Sequence, residues 1–184
     1  EPLLHPKLPD FIRYAKERGI LETGINTNAT QLTEKLAVKL IESGLDILIY
    51  SFDGGRKETY ESMRPGRFKE NHFEDVYENI SRFFAIRKEM KSPFPFTKIQ
   101  MILTKQTFGD VTNFFNLFSG CVDDVAVSQY QERGGALETL NSVHREQYER
   151  AISNHEIPAF TPYRTDADGT FFVSQGRVPC EQPL

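Results

Sequence analysis

The sequence predicts an α/β fold built on a mostly parallel sheet. Two observations carry this expectation. Short apolar runs alternate with longer amphipathic segments from the start of the chain to about Ser128, the rhythm of successive βα units. The strongest run, Leu45 to Tyr50, is apolar almost without a break, which fits a strand buried on both faces, as in a parallel sheet.

The elements follow in order. A first helix is expected from about Pro9 to Arg18, with Pro9 at an early helical position, Phe11, Ile12 and Ala15 on one face, and Gly19 as the stop. A strand near Glu22 to Asn26 runs into Thr27-Asn28-Ala29-Thr30. Thr33 then caps a helix carrying Leu36, Leu40 and Ile41 at helical spacing, and Gly44 ends it. The strand Leu45 to Tyr50 breaks into Ser51-Phe52-Asp53-Gly54-Gly55 and a long charged loop. Asn71 and Glu74 frame a capping-box-like start to a helix reaching about Met90, with Pro93 and Pro95 beyond its end. A strand from Thr97 to Thr104 leads to a helix over about Gly109 to Phe118, and another strand spans Val122 to Ser128. Ser142 is placed to cap a further helix to about Asn154. After Ile157 the residues Pro158, Pro162, Gly169, Gly176, Pro179 and Pro183 crowd a stretch with one strand candidate, Thr170 to Ser174. The expected organisation is a βα domain over 1–156 and an exit segment over 157–184. The opening Glu1-Pro2-Leu3-Leu4-His5-Pro6 has no initiator Met and reads as an artificial or processed boundary.

Composition narrows the function classes. With 184 residues, 39% of them hydrophobic, the chain can bury one sizeable core. A formal charge of −4 gives no overall electrostatic footprint for nucleic acid or an anionic membrane. No apolar run approaches a bilayer span and no leader opens the chain, so a cytoplasmic protein is expected. Two cysteines, Cys121 and Cys180, make no disulfide framework and fit a reducing compartment. Cys121 is expected in the core, and His5, His72, His144 and His155 show no metal-ligand spacing.

Parallel βα folds bind ligands beyond the carboxyl ends of their strands. Here those ends carry Thr27-Asn28, Ser51 with Asp53 and Gly54, Lys105-Gln106, and Ser128-Gln129 with Gln131. Small polar groups at every strand end describe a polar ligand's pocket; they also describe ordinary strand termini.

A composite is more specific. Glu-Pro-Leu-Leu-His-Pro at 1–6, Thr-Asn-Ala-Thr at 27–30, Ser-Phe-Asp-Gly-Gly at 51–55 and Tyr-Glu-Ser-Met-Arg at 60–64 follow one another on consecutive βα units. In this order they resemble the radical S-adenosylmethionine superfamily, particularly the branch of molybdenum-cofactor biosynthesis protein A and the enzymes with a C-terminal SPASM domain. The resemblance implies a partial (β/α) barrel, the later four or so strands of a (β/α)6 open barrel. It also implies S-adenosylmethionine and a [4Fe-4S] cluster as cofactors, with an auxiliary cluster in SPASM proteins.

Residue by residue, Glu1 and Pro2 match the end of a Gly-Gly-Glu-Pro turn whose glutamate receives the cofactor's amino group, a charge-assisted pairing. A frayed terminus is the competing expectation for Glu1. Asn28 falls where the family places small polar groups near the cofactor, or else bonds its own turn. Ser51 and Asp53 match a Ser-x-Asp-Gly motif near the ribose and carboxylate, with Gly54 admitting close backbone approach; Asp53 can instead organise the turn. Arg64 matches an arginine that pairs with the cofactor carboxylate, surface charge being its alternative. Gln100, Met101 and Gln129 are weaker inward-facing candidates, and Cys180 resembles the first auxiliary-cluster cysteine of a SPASM region.

The cluster motif C-x3-C-x2-C is missing. The resemblance therefore implies a piece of an enzyme that, whole, cleaves S-adenosylmethionine reductively to a 5′-deoxyadenosyl radical and abstracts hydrogen from a substrate, and that is inactive by itself. Its substrate would be a peptide, a carbohydrate or a cofactor precursor, and an unpaired edge on the strand near Ile25 would invite self-association. Two other readings stand beside this one: a non-catalytic βα domain binding a small molecule or partner, and an acid–base barrel enzyme using Asp53.

Overall fold

The computed structural model describes residues 1–64, 72–129, 163–165 and 171–173. A 3-10 turn at Pro2–Leu4 leads to α1 (Leu8–Glu17), β1 (Gly24–Thr27), α2 (Glu34–Glu42), β2 (Ile47–Ser51), α3 (Lys57–Met63), α4 (Phe73–Glu89), β3 (Phe96–Leu103), a second 3-10 turn at Phe108–Asp110, α5 (Val111–Phe118) and β4 (Asp124–Gln129). β1 to β4 form one sheet in that order, every neighbouring pair parallel. This is the expected mostly parallel α/β architecture.

Local chemistry sets the start of α2 and the ends of α1 and α2 as anticipated, whereas α4 starts from His72 without a side-chain cap. The Thr33 hydroxyl caps α2 by accepting from Leu36 N at 3.3 Å, and Gly19 and Gly44 close α1 and α2 at φ +82° and +80°, the left-handed region open to glycine. Of the face expected on α1, Ile12 is buried, whereas Phe11 stays 54% exposed against His5. The residues expected to form a charged loop after Gly55 instead make α3. Its single buried anchor, Tyr60, stacks on Phe52 with ring centroids 4.0 Å apart, and Phe73 and Phe118 meet Phe52 edge-on at 5.4 and 4.9 Å. Burial of rings of this size contributes about 2–3 kcal/mol each.

The sheet has one covered and one open face. Leu48 and Tyr50 of β2 and Thr97, Ile99, Met101 and Leu103 of β3 are buried in a core shared with Leu40, Ile80, Phe83, Phe114 and Phe118. Alternate residues Ile47, Ile49 and Ser51 of β2, and Lys98, Gln100 and Ile102 of β3, remain partly exposed. This corrects the expectation that β2 is buried on both faces: its apolar run includes isoleucines on the open side.

Two carboxylates bolt the amino end of the sheet. Asp46 accepts from Lys16 Nζ and from the backbone and hydroxyl of Thr23. Asp123 accepts from Nη1 and Nη2 of buried Arg87 together with Thr97 N and Oγ1, at 2.5 to 2.8 Å. Burial pushes both carboxyls upward, but these donors outweigh it and hold each below the usual carboxylate range.

Further along the chain, β5 (Tyr163–Thr165) pairs antiparallel with β6 (Phe171–Val173) in a separate sheet. β6 matches the expected strand; β5 is additional. The expected helix over Ser142 to Asn154 and Cys180 lie outside the described residues. Cys121 packs against the core, half-buried. Among the described residues no helix is long and apolar enough to cross a membrane.

Candidate functional site

The candidate site is the carboxyl end of the parallel sheet, where the loops after β1, β2, β3 and β4 converge. At the first of these ends, Glu1 is anchored rather than frayed. Its Oε1 accepts from Leu3 N at 3.0 Å and Thr27 Oγ1 at 2.7 Å, and its Oε2 accepts from Asn28 N at 2.8 Å. Thr27, the buried last residue of β1, was read from the sequence as a polar strand end but not singled out as a site residue; its place beside Asn28 was the available signal. Asn28 takes the turn-forming alternative, its Oδ1 accepting from Thr30 N and Oγ1 at 3.0 and 2.8 Å.

After β2 the motif residues split into two roles. Ser51 ends the open-face row of β2 and pairs in register with Gln100. Both are half-buried, and neither side chain makes a hydrogen bond among the described residues. Asp53 is buried and fully engaged: Oδ1 accepts from Ile102 N at 2.8 Å, and Oδ2 from Arg64 Nε and Nη2 at 2.8 and 2.6 Å. The structure thus brings Asp53 and Arg64 together with each other. The glycines admit close approach by protein backbone. A Cβ on Gly54, at φ +149°, would lie 2.6 Å from Tyr60 N, and one on Gly55 would lie 2.4 Å from Asp110 O.

Asp110 is a residue that sequence reasoning missed. Wholly buried, it receives Gly55 N, Arg56 N and Arg56 Nε, and so ties the loop after β2 to the start of α5. Its signal was an acidic residue at a helix start, a common cap, but here the side chain turns to the neighbouring loop.

The later strands separate the weaker candidates. Gln100 lies on the open face, whereas Met101 is fully buried on the covered one. Gln129 closes β4 opposite Leu103, and its side chain lies outside the described residues. Lys98 pairs with Asp124 at 2.8 Å on the open face.

The rim therefore offers an anchored carboxylate, a hydroxyl and a primary amide beside an open sheet face, a set that fits the ammonium and hydroxyl groups that a polar small molecule such as S-adenosylmethionine would present. It does not fit an iron–sulfur cluster. The whole chain has two cysteines, and no cluster of metal-ligating side chains occurs among the described residues.

Comparison with known proteins places the chain among relatives. The chain is 30% identical over 119 residues to the AdoMet-dependent heme synthase of Methanosarcina barkeri, covering 64% of this chain and 30% of that protein. It is 36% identical over 86 residues to the GTP 3′,8-cyclase of Chlorobaculum tepidum, covering 46% and 24%. The crystal structure of Streptococcus suis SuiB bound to S-adenosylmethionine shares the fold, with a TM-score of 0.56 at 15% identity over 85% of this chain and 36% of SuiB. SuiB has also been solved bound to the precursor peptide SuiA. The chain spans less than a third of the length of these curated relatives. The family model described as the Radical SAM superfamily matches residues 1–118 of the 184. That is well over half of the chain and takes in every motif from Glu1 to Gln100, and the chain belongs to the Radical SAM superfamily.

Proposed function

We propose that this chain supplies the S-adenosylmethionine-binding face of a radical S-adenosylmethionine oxidoreductase, with the [4Fe-4S] cluster held by thiolates outside these 184 residues. The observation that carries the reading is the anchored Glu1 carboxylate at the mouth of β1, with Ser51 on the neighbouring strand β2 and Gln100 beyond it on β3, both on the open face. Glu1 receives the cofactor's ammonium, while Ser51 meets its sugar hydroxyls. Asp53 and Arg64, engaged with each other, form the wall behind that position; Asn28 shapes the rim, and Gln129 borders it from β4. Bound beside a reduced cluster and an external electron donor, S-adenosylmethionine would supply the radical chemistry that removes hydrogen from a substrate. Alone, the chain binds without turning over.

The substrate is proposed to be a peptide, a carbohydrate or a cofactor precursor. The precursor peptide seen with SuiB supports the first, and the heme synthase and the cyclase, by their names, the last. A reducing, cytoplasmic setting suits the two widely separated cysteines. Auxiliary-cluster ligation by Cys180 belongs to the same proposal.

The test is anaerobic iron–sulfur reconstitution of the longest protein that carries this chain. Reductant-dependent release of 5′-deoxyadenosine is expected. A protein that takes up no iron sinks the enzymatic reading and leaves the non-catalytic binding domain.

A further inference from the structure

The hydrogen bonds around Glu1 run in one direction. Ala29 N donates to Thr27 Oγ1 at 2.9 Å, and Thr27 Oγ1 lies 2.7 Å from Glu1 Oε1. A hydroxyl has one proton, and a carboxylate oxygen only accepts, so the proton of Thr27 belongs to Glu1 while its lone pair takes the Ala29 amide. Thr27 is 3% exposed and Ala29 0%, so water has little access to that hydroxyl. Adding Leu3 N on Oε1 and Asn28 N on Oε2, three of the roughly four acceptor positions of the carboxylate are filled. The remaining one is on Oε2.

We infer that Thr27 is a positioning residue that orients the Glu1 carboxylate so that its one remaining acceptor, on Oε2, takes a single N–H from the ammonium of the bound cofactor's amino-acid portion. The inference rests on the proposed S-adenosylmethionine reading and adds a specific consequence. Thr27 governs recognition of the ammonium and nothing else in the ligand. A residue that merely held the strand end together would affect every ligand of the face alike.

The test compares S-adenosylmethionine with 5′-methylthioadenosine, which keeps the adenosine and sulfur but lacks the amino-acid portion. Affinities of both are measured by calorimetric titration of the chain, with the unfolding midpoint of each variant recorded alongside. Thr27→Val, nearly isosteric but without a hydroxyl, should weaken S-adenosylmethionine about ten-fold, the scale of one hydrogen bond to a charged group, and leave methylthioadenosine unchanged. Thr27→Ser should restore the preference. Should Thr27→Val fail to fold, Thr27→Cys, a weak donor, must show the same selective loss. If the unsubstituted chain prefers S-adenosylmethionine and Thr27→Val keeps that preference, or weakens both ligands equally, the inference fails while the functional reading stands. If the unsubstituted chain binds neither ligand, or binds both equally, both fail.

Discussion

Asp53 and Arg64 form a two-point ion pair, with Arg64 Nε and Nη2 at 2.8 and 2.6 Å from one carboxylate oxygen while the other holds Ile102 N. The pair joins the loop after β2 to the end of α3 and to the backbone of β3. Asp53 is buried, so removing Arg64 strands a carboxylate in the interior. Arg64→Ala should lower stability by about 2–4 kcal/mol with no ligand present. Urea unfolding of single and double variants with Asp53→Asn should show a coupling above about 1 kcal/mol. An unchanged apo midpoint in Arg64→Ala would instead reserve the arginine for the ligand.

The two glycines beyond Asp53 make a sharper contrast. Gly54→Ala and Gly55→Ala each press a methyl group into backbone, against Tyr60 N at 2.6 Å and Asp110 O at 2.4 Å, and neither neighbour can swing aside. Each should cost several kcal/mol, enough to empty the soluble fraction of a marginally stable chain. Gly120→Ala has open space around it and no positive φ, so it should express and melt like the parent. Soluble yield and thermal midpoint of the three variants decide the matter.

These residues also show how far the sequence is legible. Element order is readable because the signals are local: the Thr33 cap, the glycine stops after α1 and α2, and alternation along β3. α3 is hidden because its seven residues carry one buried anchor, and that anchor has meaning only once Phe52 is in place beneath it. The motif positions Ser51, Asp53 and Arg64 are findable, but the pairing of Asp53 with Arg64 depends on how an eleven-residue separation is folded back. Asp110 and Thr27 bond to partners 54 and 26 positions away, and no periodicity encodes such contacts.

Acid should unfold the chain through the bolts at the amino end of the sheet. Burial raises the Asp123 carboxyl, but Arg87 and the Thr97 donors more than offset it, and Lys16 and Thr23 do the same for Asp46. With folded-state values below the unfolded value of about 3.9, the unfolded chain binds more protons in that range. The stability these groups contribute is therefore complete above about pH 4 and lost as pH falls through the folded values. Asp123→Ala should cost about 3 kcal/mol at neutral pH, by leaving Arg87 buried without its counter-charge, and should flatten the acid limb. Urea midpoints between about pH 2 and 7 measure both effects. At the alkaline end burial pushes the Tyr50 phenol well above its ordinary value. Its contribution is present below about pH 10 and falls as pH rises further, because only the unfolded chain ionises readily there.

The outer side of β1 bears on association. β1 is an end strand of the four-stranded sheet, and its Gly24 and Asn26 are exposed. The approach to it carries Ile20 and Leu21, 51% and 92% exposed. Main-chain donors and acceptors along an edge next to apolar side chains invite strand addition by a second copy. Sedimentation velocity of the chain should show a concentration-dependent shift to a dimer. Asn26→Lys places a charge on that edge and should return the chain to monomer without moving its thermal midpoint by more than about 2 °C, since surface substitutions of this kind stay within roughly 0.5 kcal/mol. A monomer at every concentration, with slow hydrogen exchange along Gly24–Thr27, would show that the edge is already covered within the chain and would remove self-association from the account.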